Sequence, residues 1–204
     1  MQGRAGSSPA SGTIHMSWIL NQLKDNKFWT WRADMFSLEE LDRIIATGKD
    51  LSAQQGVALG TDPEYRRSQI GWINVSDEHA WIYNTLTWNV QTVNKDYFEY
   101  ELTHIEPLQF TEYDSSYQGH YGKHLDVGRN MGGSRKLSFI LQLSNPEEYS
   151  GGEVRLHHTS EPLVLPKERG KLIFFPSWTL HDVTPVTQGI RRSLVGWVAG
   201  PKFK

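Results

Sequence analysis

Apolar residues recur at helical spacing in an N-terminal segment, "SLEELDRIIATGKDL", which begins at Ser37. The residues on its apolar face are Leu38, Leu41, Ile44 and Ile45. Ser37 and Glu40 have the three-residue spacing of a capping box, in which each side chain accepts a hydrogen bond from the other residue's backbone N–H. The pattern therefore predicts an amphipathic helix that begins just after Ser37.

A second apolar stripe predicts another helix, which begins near Ser76 or Asp77 and ends at Val93. The residues of this stripe are Ile82, Leu86, Val90 and Val93, with polar residues on either side. Both predicted helices present one apolar face, and each face needs an apolar surface to cover.

The pattern changes after "NKD" to short apolar segments that Gly and Pro separate. The segments are "YFEYELTHIEPLQFTEY", "RKLSFILQLSN", "GGEVRLHH", "EPLVLP", "KLIFFP" and "RRSLVGWVAG". These are typical of β-strands. Two helices followed by about six to eight short strands predict an α+β, mainly β domain or a barrel buttressed by helices, and not alternating βαβ units.

Two of these strands alternate strongly between their faces. In the first, Leu137, Phe139, Leu141 and Leu143 share one face, and Ser138, Ile140 and Gln142 share the other. In the last strand, Arg191, Ser193, Val195 and Trp197 share a face. Because successive side chains of a strand point to opposite sides, a cation and a hydroxyl here share a face with apolar residues. This combination predicts a lined cavity.

The length of 204 residues indicates one domain, expected over residues 17–204. Residues 1–16, "MQGRAGSSPASGTIHM", are small, polar and rich in Gly and Ser, and we interpret them as an appended leader, or as a disordered natural tail. From Met16 onward no apolar run approaches the ~20 residues that cross a bilayer, and no signal peptide is visible. A cytoplasmic protein without membrane contacts is expected.

The charge and the cysteine content narrow the possible partners and metal ligands. A formal net charge of -2 lacks the concentrated basic surface that nucleic-acid binding requires. The chain has no cysteine, so a metal ion would have to be held by His, Asp or Glu. The sequence does not indicate an oligomeric state.

Candidate metal ligands occur in "YGKHLDVG", where His124 and Asp126 lie two residues apart and so share one face of a strand. One more histidine would complete the two-histidine, one-carboxylate set of non-heme iron sites. His181 is the best placed, between two apolar strands. His157 and His158 are interpreted as a solvated strand end, since neighbours on a strand point to opposite faces and only one of them could be a ligand.

The segment from Tyr113 to Trp197 resembles the prolyl 4-hydroxylase-like Fe(II)/2-oxoglutarate dioxygenases, and small bacterial and phage-encoded members are the most similar. The shared pattern is H-x-D, then a more distant histidine, then G-x-R or G-x-K. Here it reads His124, Asp126, His181 and Gly189-Ile190-Arg191, with a Gly-Gly turn at Gly151 and Gly152. The resemblance implies a double-stranded β-helix, or jelly-roll, whose N-terminal helices buttress the larger sheet.

The resemblance also implies a set of site residues. His124, Asp126 and His181 would hold Fe(II), and Arg191 would bind the distal carboxylate of 2-oxoglutarate. An unpaired buried arginine costs several kcal/mol, so its position on the cavity face itself calls for an anion. The further residues expected around the co-substrate are Tyr113, Ile140, Gln142, Val154, Ser193 and Trp197.

By resemblance, O2 and 2-oxoglutarate would be consumed, succinate and CO2 released, and a substrate C–H bond hydroxylated, with ascorbate as a further ligand of such enzymes. The resemblance favours prolyl 4-hydroxylation of a peptide or protein. Tyr117, Arg129 and Trp178, in and near the loops 114–120 and 128–134, are candidates for the substrate entrance.

Three alternatives stay open from the sequence. The same chemistry could act on another side chain or on a small metabolite. A metal-dependent hydrolase could use the same ligands with zinc, although hydrolysis does not require a buried arginine such as Arg191. A barrel that binds a partner without catalysis is the third.

Overall fold

Two helices are present where the hydrophobic pattern predicts them. The computed structural model describes residues 28–55, 62–127 and 134–202, so the expected leader, residues 1–16, lies outside the described residues. Helix α1 spans Leu38–Gln55 and α2 spans Ala80–Val93. The predicted capping box is confirmed, because Glu40 N donates to Ser37 Oγ at 3.2 Å and Ser37 N donates to Glu40 Oε2 at 2.7 Å.

The prediction of a strand beginning at Tyr97 is wrong for its first part. Asn94–Phe98 continues α2 as a π-helical turn, which ends at Glu99 in the left-handed conformation with a φ of 54°. The Asn94 side chain then binds both backbone groups of Tyr100, with Nδ2 to O and N to Oδ1 at 2.9 Å each. The aromatic residues of "YFEY" are typical of a strand. Here, however, the Asn94 side chain forms the hydrogen bonds of the Tyr100 backbone that a neighbouring strand would otherwise provide.

The β-strands of the described residues form two sheets in which every pairing is antiparallel. The strands are β1 (Thr30–Arg32), β2 (Arg66–Arg67), β3 (Gln69–Ile73), β4 (His104–Ile105), β5 (Leu108–Asp114), β6 (His120–His124), β7 (Ser134–Gln142), β8 (Tyr149–Gly151), β9 (Val154–Leu156), β10 (Leu163–Val164), β11 (Leu172–Pro176), β12 (His181–Val183) and β13 (Val186–Gly200). The larger sheet has the order β1-β11-β7-β13-β5-β3, with β4 and β8 also paired to β13, and the smaller sheet has the order β10-β9-β12-β6-β2. The mainly β, jelly-roll prediction is confirmed.

The larger sheet separates two apolar layers. Its outer face packs on the helices through residues such as Leu137, Phe139 and Leu141, together with Leu41 and Ile44 of α1. Its inner face and the smaller sheet enclose a second cluster, which includes Tyr113, Ile140, Val154, Phe175 and Val183. The predicted alternation along β7 is thereby confirmed, because the leucine and phenylalanine face meets the helices.

The interpretation of His157 as part of a solvated strand end is wrong. Only 13 % of its side chain is exposed, and its Nε2 lies 3.2 Å from Oδ2 of the buried Asp182. Arg155 donates to both oxygens of the same carboxylate, at 2.9 and 2.7 Å. His158 is exposed, and its ring contacts that of Phe28. The pairing of β9 with β12, which the sequence does not reveal, brings Arg155 opposite Asp182.

Among the described residues, no helix is both long enough and apolar enough to cross a bilayer.

Candidate active site

Two paired strands of the smaller sheet bring the candidate histidines together. His124 ends β6, His181 begins β12, and the two residues are directly opposite in the register of this pair. Each imidazole Nδ1 lies 2.8 Å from a backbone carbonyl two residues earlier, Gly122 O for His124 and Thr179 O for His181. When Nδ1 donates to such a carbonyl, Nε2 carries the free lone pair. Both histidines therefore offer Nε2 as a ligand atom.

Asp126 lies between these two nitrogens. Its Oδ1 is 3.6 Å from His124 Nε2 and its Oδ2 is 3.5 Å from His181 Nε2. One ligand atom from each of the three residues can be chosen so that all lie within 4.8 Å of one another. Two imidazoles and one carboxylate on one side of a cavity are the donor set of a facial iron site with open positions. The three residues fit a divalent metal ion.

The environment of His124 keeps its imidazole neutral. Burial, followed by the charge of His181, lowers the pKa of His124 to about 4, although Asp126 acts in the opposite direction. Near pH 7 the imidazole is therefore uncharged, which is the form that binds metals. The ring of Tyr121 stacks on this imidazole with 3.6 Å between the ring centres, and Arg66 Cζ lies 4.4 Å from the centre of the Tyr121 ring.

Arg191 on β13 is a buried cation within the same cavity. Only 1 % of the residue is exposed, and no described carboxylate forms an ion pair with it. Its Nη2 donates to Gln142 Oε1 at 2.9 Å, while its buried Nε has no hydrogen-bond partner. Its Cζ lies 5.5 Å from the centre of the Tyr113 ring, on the strand paired with β13. The guanidinium keeps donors and charge available for an anion.

Two glycines shape the backbone around this arginine. At Gly189, two residues before Arg191, φ is +68°, and a Cβ would lie 2.0 Å from Glu148 O. At Gly152, φ is +61°, and a Cβ would lie 2.9 Å from Arg191 Cδ. Both positions thus require glycine, for backbone conformation and for close approach. The G-x-R pattern and the Gly-Gly turn, which are far apart in the sequence, meet at one side chain.

The pocket lies between the sheets and has a cavity volume of about 30 Å³. Eight of the ten expected site residues line it: Tyr113, His124, Asp126, Ile140, His181, Arg191, Ser193 and Trp197. Two of them do not line it. Gln142 instead contacts Arg191, and Val154 packs in the apolar cluster between the sheets.

Sequence reasoning missed several residues of the pocket wall. They are Gln109, Phe175 and Val183; Tyr121, whose ring stacks on that of His124, also lines the pocket. Gln109 could have been found, because it shares a strand face with Tyr113 and is buried although polar. Phe175 and Val183 gave no such signal, since their positions depend on which strands pair. Tyr149 does not line the pocket but interacts with Arg191: burial raises the pKa of its hydroxyl, and the charge and hydrogen bond of Arg191 partly offset this.

Tyr117 and Trp178, the two candidates for the substrate entrance that the structure describes, do not line the pocket. The hydroxyl of Tyr117 donates to Glu112 O at 3.3 Å. Trp178 is 41 % exposed, and its ring centre lies 5.3 Å from that of Tyr100. Arg129 and residues 128–133 lie outside the described residues.

Comparisons with known proteins agree with this geometry. Residues 108–199 match the family model described as the 2OG-Fe(II) oxygenase superfamily. A PKHD-type hydroxylase of Prochlorococcus marinus is 43% identical over 84 residues, which are 41% of this chain and 38% of that protein. One of Rippkaea orientalis is 38% identical over 98 residues, 46% of this chain and 43% of that protein. The matches thus span about two fifths of the length of these relatives.

Solved structures share the fold over most of the chain. A prolyl-4-hydroxylase of Pseudomonas putida has a TM-score of 0.70 at 21% identity, covering 86% of this chain and 94% of that one. The viral collagen prolyl hydroxylase of Paramecium Bursaria Chlorella virus-1 has a TM-score of 0.68 at 20% identity, covering 86% and 98%. The resemblance inferred from H-x-D, the later histidine and G-x-R is confirmed.

Proposed function

We propose that this chain, a member of the 2OG-Fe(II) oxygenase superfamily across residues 108–199, is an Fe(II)- and 2-oxoglutarate-dependent dioxygenase that hydroxylates a C–H bond of its substrate. The observation that carries the proposal is one pocket that holds both a two-histidine, one-carboxylate cluster and a buried arginine that forms no ion pair with the residues described. A hydrolytic metal site would need the first feature alone.

The roles of the residues follow from the positions of their atoms. His124, Asp126 and His181 would hold Fe(II) on one side, and its open positions would face the pocket. Bound Fe(II) supplies the activation of O2 that is coupled to oxidative decarboxylation of 2-oxoglutarate to succinate and CO2. Arg191 would bind the far carboxylate of 2-oxoglutarate through its free donors, and Tyr113 and Ser193 line the cavity beside it.

The apolar wall of the pocket favours oxidation of a bound substrate over its hydrolysis. Ile140, Phe175, Val183 and Val195 line the pocket, and a wall of this kind leaves few places for water beside the metal ligands. Such a wall also strengthens the attraction between Arg191 and a carboxylate, since neither group is fully hydrated there. The chain would therefore orient the co-substrate with Arg191 at one end and the three candidate metal ligands at the other.

For the substrate, we propose a prolyl residue of a peptide or protein, hydroxylated at C4. The support is the fold shared with prolyl hydroxylases of a bacterium and a virus, together with the PKHD-type hydroxylases among the relatives in sequence. Another side chain or a small metabolite is the competing substrate class. Ascorbate remains a proposed ligand that would keep the iron reduced between turnovers.

The experiment is a release assay for succinate with Fe(II), 2-oxoglutarate and panels of proline-containing peptides, other peptides and metabolites. Succinate formation that depends on Fe(II), and a mass increase of one oxygen atom on a proline-containing peptide, are the expected results. His124→Ala, Asp126→Ala and His181→Ala are each expected to abolish it. Wild-type turnover in any of these variants would contradict the proposed ligand set. Absence of 2-oxoglutarate binding in the metal-loaded protein would contradict the reaction class.

A further inference from the structure

The carboxylate of Asp126 has two unlike oxygens in this protein. Oδ2 accepts a hydrogen bond of 2.7 Å from Ser138 Oγ, a fully buried hydroxyl on β7. Oδ1 has no hydrogen bond in the described part of the chain and lies 3.6 Å from His124 Nε2. A hydrogen bond to an anionic oxygen is short and strong, so it withdraws electron density from Oδ2 and leaves Oδ1 as the better metal ligand.

A second hydroxyl fixes the direction of this hydrogen bond. Ser177 Oγ lies 2.9 Å from Ser138 Oγ. Because Ser138 has a single hydroxyl proton and donates it to the carboxylate, the proton between the two serines must come from Ser177. The backbone of Asp126 is held by the same loop, since Asp126 N donates to Ser177 O at 2.9 Å. The carboxylate therefore has little freedom to rotate.

The number of Asp126 oxygens on the metal decides how many positions stay open. A six-coordinate ion with two imidazoles and one carboxylate oxygen has three open positions. A 2-oxo acid that chelates the ion would take two of these, and O2 would need the third. If both Asp126 oxygens bound the ion, only two positions would be left, and the bound 2-oxo acid would fill them.

We propose that Ser138, supported by Ser177, is a positioning residue that keeps Asp126 a ligand through Oδ1 alone and so preserves the position at which O2 would bind. This inference rests on the proposed function. It assigns to a buried hydroxyl outside the H-x-D, histidine and G-x-R pattern a part in holding the site open.

Nitric oxide tests the proposal, because it occupies a free position on Fe(II) and gives an electron paramagnetic resonance signal. Wild type and Ser138→Ala are loaded anaerobically with Fe(II) and 2-oxoglutarate and titrated with nitric oxide. The Ser138→Ala complex is expected to bind nitric oxide at least tenfold more weakly, in line with the ~10–100-fold effects of residues that orient metal ligands. Ser138→Thr keeps the hydroxyl donor and is expected to restore binding to within about threefold of wild type.

Two further variants separate positioning from folding. Ser138→Ala/Ser177→Ala removes both hydroxyls, so that Ser177 is not left as a buried hydroxyl without a partner. The double variant is expected to bind nitric oxide at least tenfold more weakly than wild type, as Ser138→Ala does. Ser52→Ala is the matched control, since Ser52 Oγ bonds only Gly48 O within α1, and its nitric oxide affinity is expected to equal that of wild type.

The outcomes distinguish the inference from the proposed function. Wild-type nitric oxide affinity in both Ser138→Ala and the double variant, with Fe(II) and 2-oxoglutarate bound, would overturn the positioning role alone. If the wild-type protein bound neither Fe(II) nor 2-oxoglutarate, the proposed function would fail, and the inference with it. The melting temperature of each metal-free variant shows whether a loss of nitric oxide affinity comes from unfolding.

Discussion

Arg191 and Gln142 form a hydrogen-bonded pair inside the barrel, with Nη2 of the arginine donating to Oε1 of the glutamine at 2.9 Å. The other end of the amide is also fixed, because Gln142 Nε2 donates to Pro166 O at 2.8 Å. This second bond turns the amide oxygen toward the guanidinium. The neutral glutamine orients Arg191 without neutralising it, so the positive charge remains available for a dicarboxylate.

Removal of the guanidinium is expected to weaken 2-oxoglutarate binding. A hydrogen bond to a charged group contributes about 1.5–3 kcal/mol, which corresponds to roughly 10–100-fold in affinity. Arg191→Ala should therefore raise the KM for 2-oxoglutarate by about 100-fold, measured by succinate release. Arg192→Ala is the matched control, because Arg192 Nε donates to Glu112 Oε2 and the residue lies outside the pocket wall. Equal KM values for Arg191→Ala and wild type would contradict the assignment.

Gln142→Glu tests the charge of the pair without changing its shape. A glutamate at this position would form an ion pair with Arg191 and occupy it, so the dissociation constant of 2-oxoglutarate should rise at least tenfold. Metal affinity should stay within about twofold of wild type, because Gln142 does not contact the three candidate ligands. Calorimetric titration of the metal-loaded protein measures both quantities. An unchanged dissociation constant for 2-oxoglutarate would show that Gln142 does not control the availability of the arginine.

The set of site residues came from the family resemblance, and strand alternation predicted which side of a strand several of them face. It correctly assigned Arg191 to the interior and Arg192 to the other face, and it separated Ile140 from the leucine face of β7. Alternation within one strand did not predict contacts between side chains of different strands. The contact of Ser138 with Asp126 depends on the approach of β7 to the end of β6, and His157 meets Asp182 only because β9 pairs with β12. Tertiary register, which a single sequence does not encode locally, decides these contacts.

Metal binding is expected to stabilise the folded protein. A ligand present at 100 times its dissociation constant contributes about 2.7 kcal/mol, which for a chain of this size raises the melting temperature by about 5–10 °C. Addition of Mn(II) to the chelator-treated protein should give this rise in a thermal melt. His181→Ala should abolish the rise, and His104→Ala should retain it, since His104 is an exposed residue on β4. A full rise in His181→Ala would exclude this residue as a ligand.

Gly48 determines how closely α1 approaches the larger sheet. A Cβ at this position would lie 2.2 Å from the Phe110 ring. In an exposed helix, replacing Gly by Ala stabilises by about 1 kcal/mol. Here overpacking dominates, and Gly48→Ala should lower the free energy of unfolding by about 1–3 kcal/mol in urea titrations. Ala46→Gly, at an exposed position of the same helix, is the control and should lower the free energy of unfolding only by the difference in helix propensity, about 1 kcal/mol. A Gly48→Ala variant more stable than wild type would refute the close contact.

Asp182 gives the stability a dependence on pH that can be separated from the metal site. Burial raises the pKa of this carboxyl, but hydrogen bonds and charge from Arg155, with a contribution from His157, outweigh burial and lower the pKa below its ordinary value of 3.8. Above that value both the folded and the unfolded states are ionised, and the full stabilisation is present. As the pH falls, the unfolded state binds the proton first, so the stabilisation is lost progressively toward the folded-state pKa.

Asp182→Asn removes this contribution and its pH dependence together. We expect the variant to be about 1–3 kcal/mol less stable than wild type at pH 7, the magnitude of a charged hydrogen-bonded pair. The difference should shrink below about pH 4, where the wild-type carboxyl becomes protonated in the unfolded state. Urea unfolding of the metal-free proteins at several pH values measures this difference in the free energy of unfolding. Glu168→Gln is the control, since the Glu168 carboxylate that pairs with Lys171 is exposed and should contribute under about 1 kcal/mol. A difference that stays constant from pH 7 to pH 3 would mean that Asp182 supports β12 by shape and neutral hydrogen bonds, and not by its charge.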